Sequence, residues 1–269
     1  MPVLCPTDLL RLLTVTAVAV AVAGAPAAVL AQNEPPAKRQ QQKPPAKPRA
    51  TAPQPKAAAT PPAAKTEALP PSQIGIGTLA KQAFMVDPQT STVLLFKDAD
   101  KPMPPSSMAK EMTIYIVFEE LTAGRIKLDT KFRVSERARN MGGSRMFVEL
   151  GSEVTVEELI RGMIVLSGND ACVVIAEGLS GTEEAFAERM TAKARELGMT
   201  GTVYKNSSGW PAEGQYTTAR DLAVLSWRTI EDHPKLYRYY SEPSWSHNNI
   251  KQDNRNRLLK TVPGTDGLK

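Results

Sequence analysis

Between residues 83 and 230 short apolar blocks alternate with polar corners, and their spacing predicts most of a fold. Ala83-Phe84-Met85-Val86-Asp87 and Thr92-Val93-Leu94-Leu95-Phe96 are apolar runs of strand length. The turn formers Pro88-Gln89-Thr90-Ser91 between them predict a hairpin. After Pro102 and the Pro104-Pro105 pair, a helical pattern runs from about Ser107 to Ala123, with Gly124 just past its end. Val156 to Leu166 and Asp170 to Leu179 predict two further helices, separated by the polar corner Ser167-Gly168-Asn169. Glu183 to Leu197 is amphipathic, with Phe186, Met190, Ala194 and Leu197 at three- and four-residue spacing and Gly198 as the stop. Thr217 to Ile230 predicts a last helix with Leu222, Leu225 and Trp227 as core. Helices fill the middle, strands flank them and no repeat is visible, so the expected class is mixed α/β, a helical cluster beside an antiparallel sheet.

The first quarter of the 269-residue chain has a different pattern. Arg11 precedes an unbroken run of Leu, Val, Thr and Ala from Leu12 to Ala23, and Val29-Leu30-Ala31 offers a small residue before Gln32. Residues 1–31 therefore read as a secretory signal peptide, and the chain is expected to be exported to the periplasm or another extracytoplasmic space. From 32 to 73 the chain is Pro, Ala, Gln and Lys with little apolar content, which predicts an extended tether. Residues 74–269 remain for the folded part, roughly two hundred and ample for one domain.

Much of the net charge of +5 lies in the tether, where Lys38, Arg39, Lys43, Lys47, Arg49, Lys56 and Lys65 face only Glu34 and Glu67. Such a segment either serves as a solvated spacer or is drawn to anionic lipid or wall polymer. No nucleic-acid partner is expected. Cys5 falls in the signal, and Cys172 lies in the apolar stretch Ala171 to Ala176, which predicts a buried, inert thiol. His233 and His247 are the only histidines and neither stands in a motif, so neither histidine catalysis nor a metal site is expected. His233 is read as a loop contact before Pro234 and His247 as a surface position near Trp245.

Three polar motifs carry the chemistry. Ser107 and Lys110 are three apart at a helix start, a spacing that puts both on one face. A serine hydroxyl needs a base within hydrogen-bond reach, and lysine serves if burial or a nearby cation lowers its pKa. The first turn of that helix also directs backbone N–H groups to where an oxyanion would form. In Ser167-Gly168-Asn169 the glycine permits a tight corner, the hydroxyl can relay a proton, and the amide can both donate to and accept from a peptide. Lys269, after Thr265-Asp266-Gly267-Leu268, would supply a fixed cation that holds a carboxylate and depresses the pKa of Lys110. Each motif alone is a common pattern: a capping serine with a solvated lysine, a plain turn, a surface cation.

Taken in order, the three resemble the penicillin-recognising serine acyltransferases. The flanks Pro104 to Thr113, Ser167 to Ala171, Thr218-Ala219-Arg220-Asp221 and Asn254-Arg255-Asn256 are similar to those of the low-molecular-mass penicillin-binding proteins, the D-alanyl-D-alanine carboxypeptidases. The resemblance covers nearly everything from Phe84 to Lys269. It implies the penicillin-binding/β-lactamase-like transpeptidase fold, a peptidoglycan stem peptide as substrate, acylation by β-lactam antibiotics, and no cofactor. It further implies that Ser107 is the nucleophile, Lys110 its base and Ser167 a proton relay, while Asn169 and Lys269 bind substrate. Arg255 would meet the terminal carboxylate or, equally, brace a loop, and Gly142-Gly143-Ser144 resembles a loop near the site. An endopeptidase acting on cross-links, or a non-catalytic wall- or β-lactam-binding protein, would share these groups. The threonine and glycine that follow this lysine in the family are absent after Lys269, so the expectation is an incomplete catalytic domain lacking C-terminal strands and inactive or unstable alone.

Overall fold

The computed structural model describes residues 77–268; the signal and tether expectations, and Lys269, lie outside the described residues. The expected hairpin is present as β1 (Ala83–Val86) and β2 (Val93–Lys97), antiparallel with Phe84 opposite Phe96. A single 3₁₀ turn at Ser106–Met108 leads into α1 (Ala109–Thr122), so the helix opens with a tighter turn than its sequence pattern predicts. There follow β3 (Lys131–Arg133), α2 (Glu136–Arg139), β4 (Glu153–Thr155), α3 (Val156–Ile164), α4 (Asn169–Ser180), α5 (Glu183–Glu196) and α6 (Ala219–Asp232). The described chain closes with α7 (Pro234–Tyr237), a 3₁₀ turn at Arg238–Ser241, β5 (Ser244–His247), β6 (Ile250–Asp253) and α8 (Leu258–Thr261). The strands form three two-stranded antiparallel ribbons among the described residues: β1–β2, β3–β4 and β5–β6.

α1 is the centre of the described fold. Every residue from Ala109 to Phe118 is buried, including Lys110, Glu111 and Thr113, so this helix has no solvent face over its first turns. It packs against α3, α4, α5 and α6. α4 is equally enclosed from Asn169 to Ala176, and Cys172 is fully buried there, as the apolar stretch predicts. The ends of these helices follow local chemistry. Thr155 and Glu158 form a reciprocal capping box on α3, and Thr182 and Thr218 accept from backbone N–H groups at the starts of α5 and α6.

The family-like segment Thr218-Ala219-Arg220-Asp221 has a structural use. Arg220 pairs with Asp100 at 2.6 Å and lies over the rings of Phe84 and Phe96, fastening α6 to the hairpin, while Asp221 accepts from Thr202 Oγ1 at 2.6 Å. Trp227 departs from its expected place in the core. It is half-buried and lines a cavity of about 570 Å³ between β1, α6 and residues 264–267, a space that no side chain fills. His233 is more enclosed than a loop contact requires: its ring meets Tyr115 and Phe118 edge-on. His247 stacks on Trp245 with ring centroids 5.4 Å apart.

Candidate active site

The start of α1 is shaped by its neighbours. Pro105 and the left-handed Ser106 (φ +48°) turn the chain sharply, leaving Ser107 exposed while Lys110, one turn on, is fully buried. Lys110 Nζ donates to Ser107 Oγ at 3.1 Å and to the Ser208 carbonyl at 2.8 Å. Burial disfavours the ammonium form and pulls the Lys110 pKa below the ordinary lysine value; Cys172 and Asp170 oppose this more weakly. A hydroxyl on the solvent side of a shielded amine is an arrangement in which an alcohol proton can pass to nitrogen.

The segment carrying Ser208 is fixed on both sides. Thr113 Oγ1 on α1 donates to the Ser207 carbonyl at 2.7 Å, and the buried Glu183 accepts from Ser207 N and Oγ. Asn206 Oδ1 accepts from the backbone of Ser208 and Gly209, making a self-bonded turn. Gly209 presses directly on the turn that bears Ser107. A Cβ placed there would lie 1.6 Å from the Ser106 carbonyl oxygen, so only glycine fits.

Ser167 forms the corner between α3 and α4. It is buried and left-handed (φ +58°), and the turn is locked by Gly168 N donating to the Gly162 carbonyl at 2.8 Å. Asn169 then opens α4, its backbone N–H bonded to the Ser144 carbonyl and its Nδ2 to the Gly142 carbonyl, both at 2.8 Å. The Gly142-Gly143-Ser144 segment is thus brought to the second motif. Asp170 completes the attachment: its buried carboxylate accepts from the backbone of Met146, Phe147 and Val148 at 3.0, 2.8 and 3.3 Å. Arg255 stays exposed and reaches Leu166, the residue before Ser167, with Nε 3.5 Å from its carbonyl oxygen. Asn256 Nδ2 holds the Leu268 carbonyl at 3.1 Å, and Tyr237 donates to Asp266 at 3.1 Å, so the approach to Lys269 is docked against the core.

The family model described as D-alanyl-D-alanine carboxypeptidase matches residues 66–269. The chain belongs to this family. It is 40% identical over 195 residues to the D-alanyl-D-alanine carboxypeptidase DacF of Bacillus subtilis, a match covering 71% of this chain and 50% of that protein. Among solved structures, the D-alanyl-D-alanine carboxypeptidase DacD of Francisella tularensis superposes with a TM-score of 0.70 at 31% identity, over 76% of this chain and 62% of that one. Penicillin binding protein 5 of Haemophilus influenzae gives 0.66 at 36% identity, over 71% and 55%. The fold is therefore that of the penicillin-binding proteins, and the chain spans about half the length of the curated relatives it matches.

For this carboxypeptidase-family chain, sequence reasoning missed Ser208, Gly209 and Asp170 as parts of the site. The run Asn206-Ser207-Ser208-Gly209 is a dense set of turn formers, a signal for a sharp loop that says nothing of what the loop touches. Asp170 was legible only as the residue after the second motif. Its partners lie more than twenty residues upstream in the chain.

Proposed function

We propose that the protein hydrolyses the terminal D-alanyl-D-alanine bond of peptidoglycan stem peptides through an acyl-enzyme on Ser107, and that β-lactams acylate the same oxygen. The observation that carries this is the pairing of an exposed Ser107 hydroxyl with a buried Lys110 amine held by two uncharged oxygens. Lys110 Nζ takes the hydroxyl proton as Ser107 Oγ bonds to the carbonyl carbon. In this scheme the backbone N–H of Ser107 itself steadies the oxyanion, since those of Met108 and Ala109, at the opening of α1, donate within the turn, to Pro105 and to Ser106 and Ser107. When the C–N bond breaks, Ser167 passes its proton to the departing D-alanine amine and takes up in its place the proton that Lys110 holds, which leaves Lys110 neutral for the second half of the reaction. A water then attacks the ester, gives its proton to Lys110, and restores Ser107 as the shortened peptide leaves.

Asn169 holds the substrate backbone in this scheme, with Lys269 and Arg255 at the carboxylate end. The apolar run after Arg11 and the basic segment beyond it support export and a wall-facing tether, since wall peptides lie outside the cytoplasm. Free D-alanine released from a pentapeptide, compared between the protein and its Ser107→Ala variant, tests the reading. A fall of at least about a thousandfold is expected; equal release by the variant overturns it.

A further inference from the structure

Trp210 is an exposed aromatic side chain on a rigid support. Its carbonyl accepts from Asn206 Nδ2 at 2.7 Å and Gln215 Nε2 at 2.9 Å, and its N–H donates to Ser208 Oγ, so its backbone is pinned. The indole nevertheless remains 46% exposed. It lies across Gly142 and Gly143: Cβ atoms placed there would be 3.1 Å from the ring, and the one at Gly143 would also be 2.9 Å from Asn169 Nδ2. The ring thus spans from the loop that holds Lys110 to the loop that Asn169 holds. The two glycines clear a seat for its edge and leave ring surface open at the mouth of the site.

We infer that Trp210 is a specificity-determining residue, a platform for the side chain of the residue that precedes the terminal D-alanyl-D-alanine. The inference deepens the proposed function and rests on it. The substrate's free carboxylate belongs with the cations: Arg255 bonds the carbonyl just before Ser167, whereas Trp210 lies against the loop held by the residue two after Ser167. An extended peptide with its carboxylate at the first position sends its preceding residue toward the second. There a long aliphatic side chain gains contact with an indole whose backbone is already pinned and whose edge is already seated on the two glycines.

Peptide binding to the non-acylating Ser107→Ala protein, measured by calorimetry, tests this. Two probes are compared, Nα,Nε-diacetyl-L-lysyl-D-alanyl-D-alanine and N-acetyl-D-alanyl-D-alanine. The expected result is that Trp210→Ala lowers the preference for the tripeptide about tenfold, leaves the dipeptide within about twofold, and that Trp210→Phe restores most of the preference. An unchanged preference overturns the inference while leaving the proposed function standing. Equal loss of both peptides in Trp210→Ala overturns it in favour of a purely structural tryptophan. If neither peptide binds the parent Ser107→Ala protein, the proposed function fails and this inference with it.

Discussion

Gly209 lies so close to Ser106 that a Cβ on it would be 1.6 Å from the Ser106 carbonyl oxygen. Its backbone is also left-handed, at φ +79°, and its neighbour Ser208 supplies the carbonyl that holds Lys110. Gly209→Ala must therefore push apart the turn bearing Ser107 and the loop bearing Ser208. The expected cost is about 1–3 kcal/mol in stability from overpacking and about a hundredfold in acylation rate from misplacing the hydroxyl. Chemical denaturation and β-lactam acylation kinetics measure the two effects separately.

In the proposed reaction Lys110 sets the pH dependence. Its folded pKa lies below the ordinary lysine value because of burial, so acylation rises as the pH climbs through that lowered value and then levels off. Lys110→Arg, which cannot give up its proton, is expected to lose about a thousandfold or more. The unfolded chain binds more protons than the folded one between the two pKa values. The burial of Lys110 therefore becomes less costly to stability as pH rises. Stability of the parent relative to Lys110→Met, followed across alkaline pH, should increase in that direction.

Asp170 organises the loop on which the second motif depends. Its carboxylate receives three successive N–H groups, one from Phe147, which sits left-handed at φ +66°. Asp170→Asn removes the charge and turns an amide donor toward backbone donors, at an expected cost of about 2–4 kcal/mol. The loop carrying Gly142 should loosen with it. Thermal melting and hydrogen exchange over residues 142–148 report this, and exchange confined to other regions would contradict it.

The fold was legible where periodicity was long. α1, α3, α4, α5 and α6 each fall within a residue or two of the bounds their apolar spacing predicts, and so does the first hairpin. The ribbons β3–β4 and β5–β6 and the one-turn helices were not legible, because three or four residues hold too little pattern to separate strand from turn. Within the candidate site, Ser107, Lys110, Ser167 and Asn169 stood out as candidates because each pair sits inside one short motif. What positions them was not. Ser208 is 98 residues from Lys110 and Gly142 is 27 from Asn169, and such contacts leave no local trace. Trp227 shows the reverse error: helical spacing assigned it to the core, but its face of α6 borders a cavity instead.

His233 gives a second pH effect, on stability alone. Its ring is packed between Tyr115 and Phe118 with Nδ1 3.3 Å from Thr122 Oγ1, and burial lowers its pKa although Asp232 and Glu119 favour the cation. The unfolded chain therefore binds the extra proton first as pH falls. Stability is full above the ordinary histidine value and declines below it by at most about 1.4 kcal/mol per pH unit, until the folded pKa is reached. Denaturation midpoints of the parent should fall over that interval, and those of His233→Gln should change less.

Mass spectrometry of the protein after exposure to benzylpenicillin decides whether Ser107 Oγ is the acylated nucleophile. A covalent penicilloyl adduct is expected on the peptide containing Ser107, absent from Ser107→Ala and strongly slowed in Lys110→Arg. An adduct on another residue, or one that persists in Ser107→Ala, would contradict it.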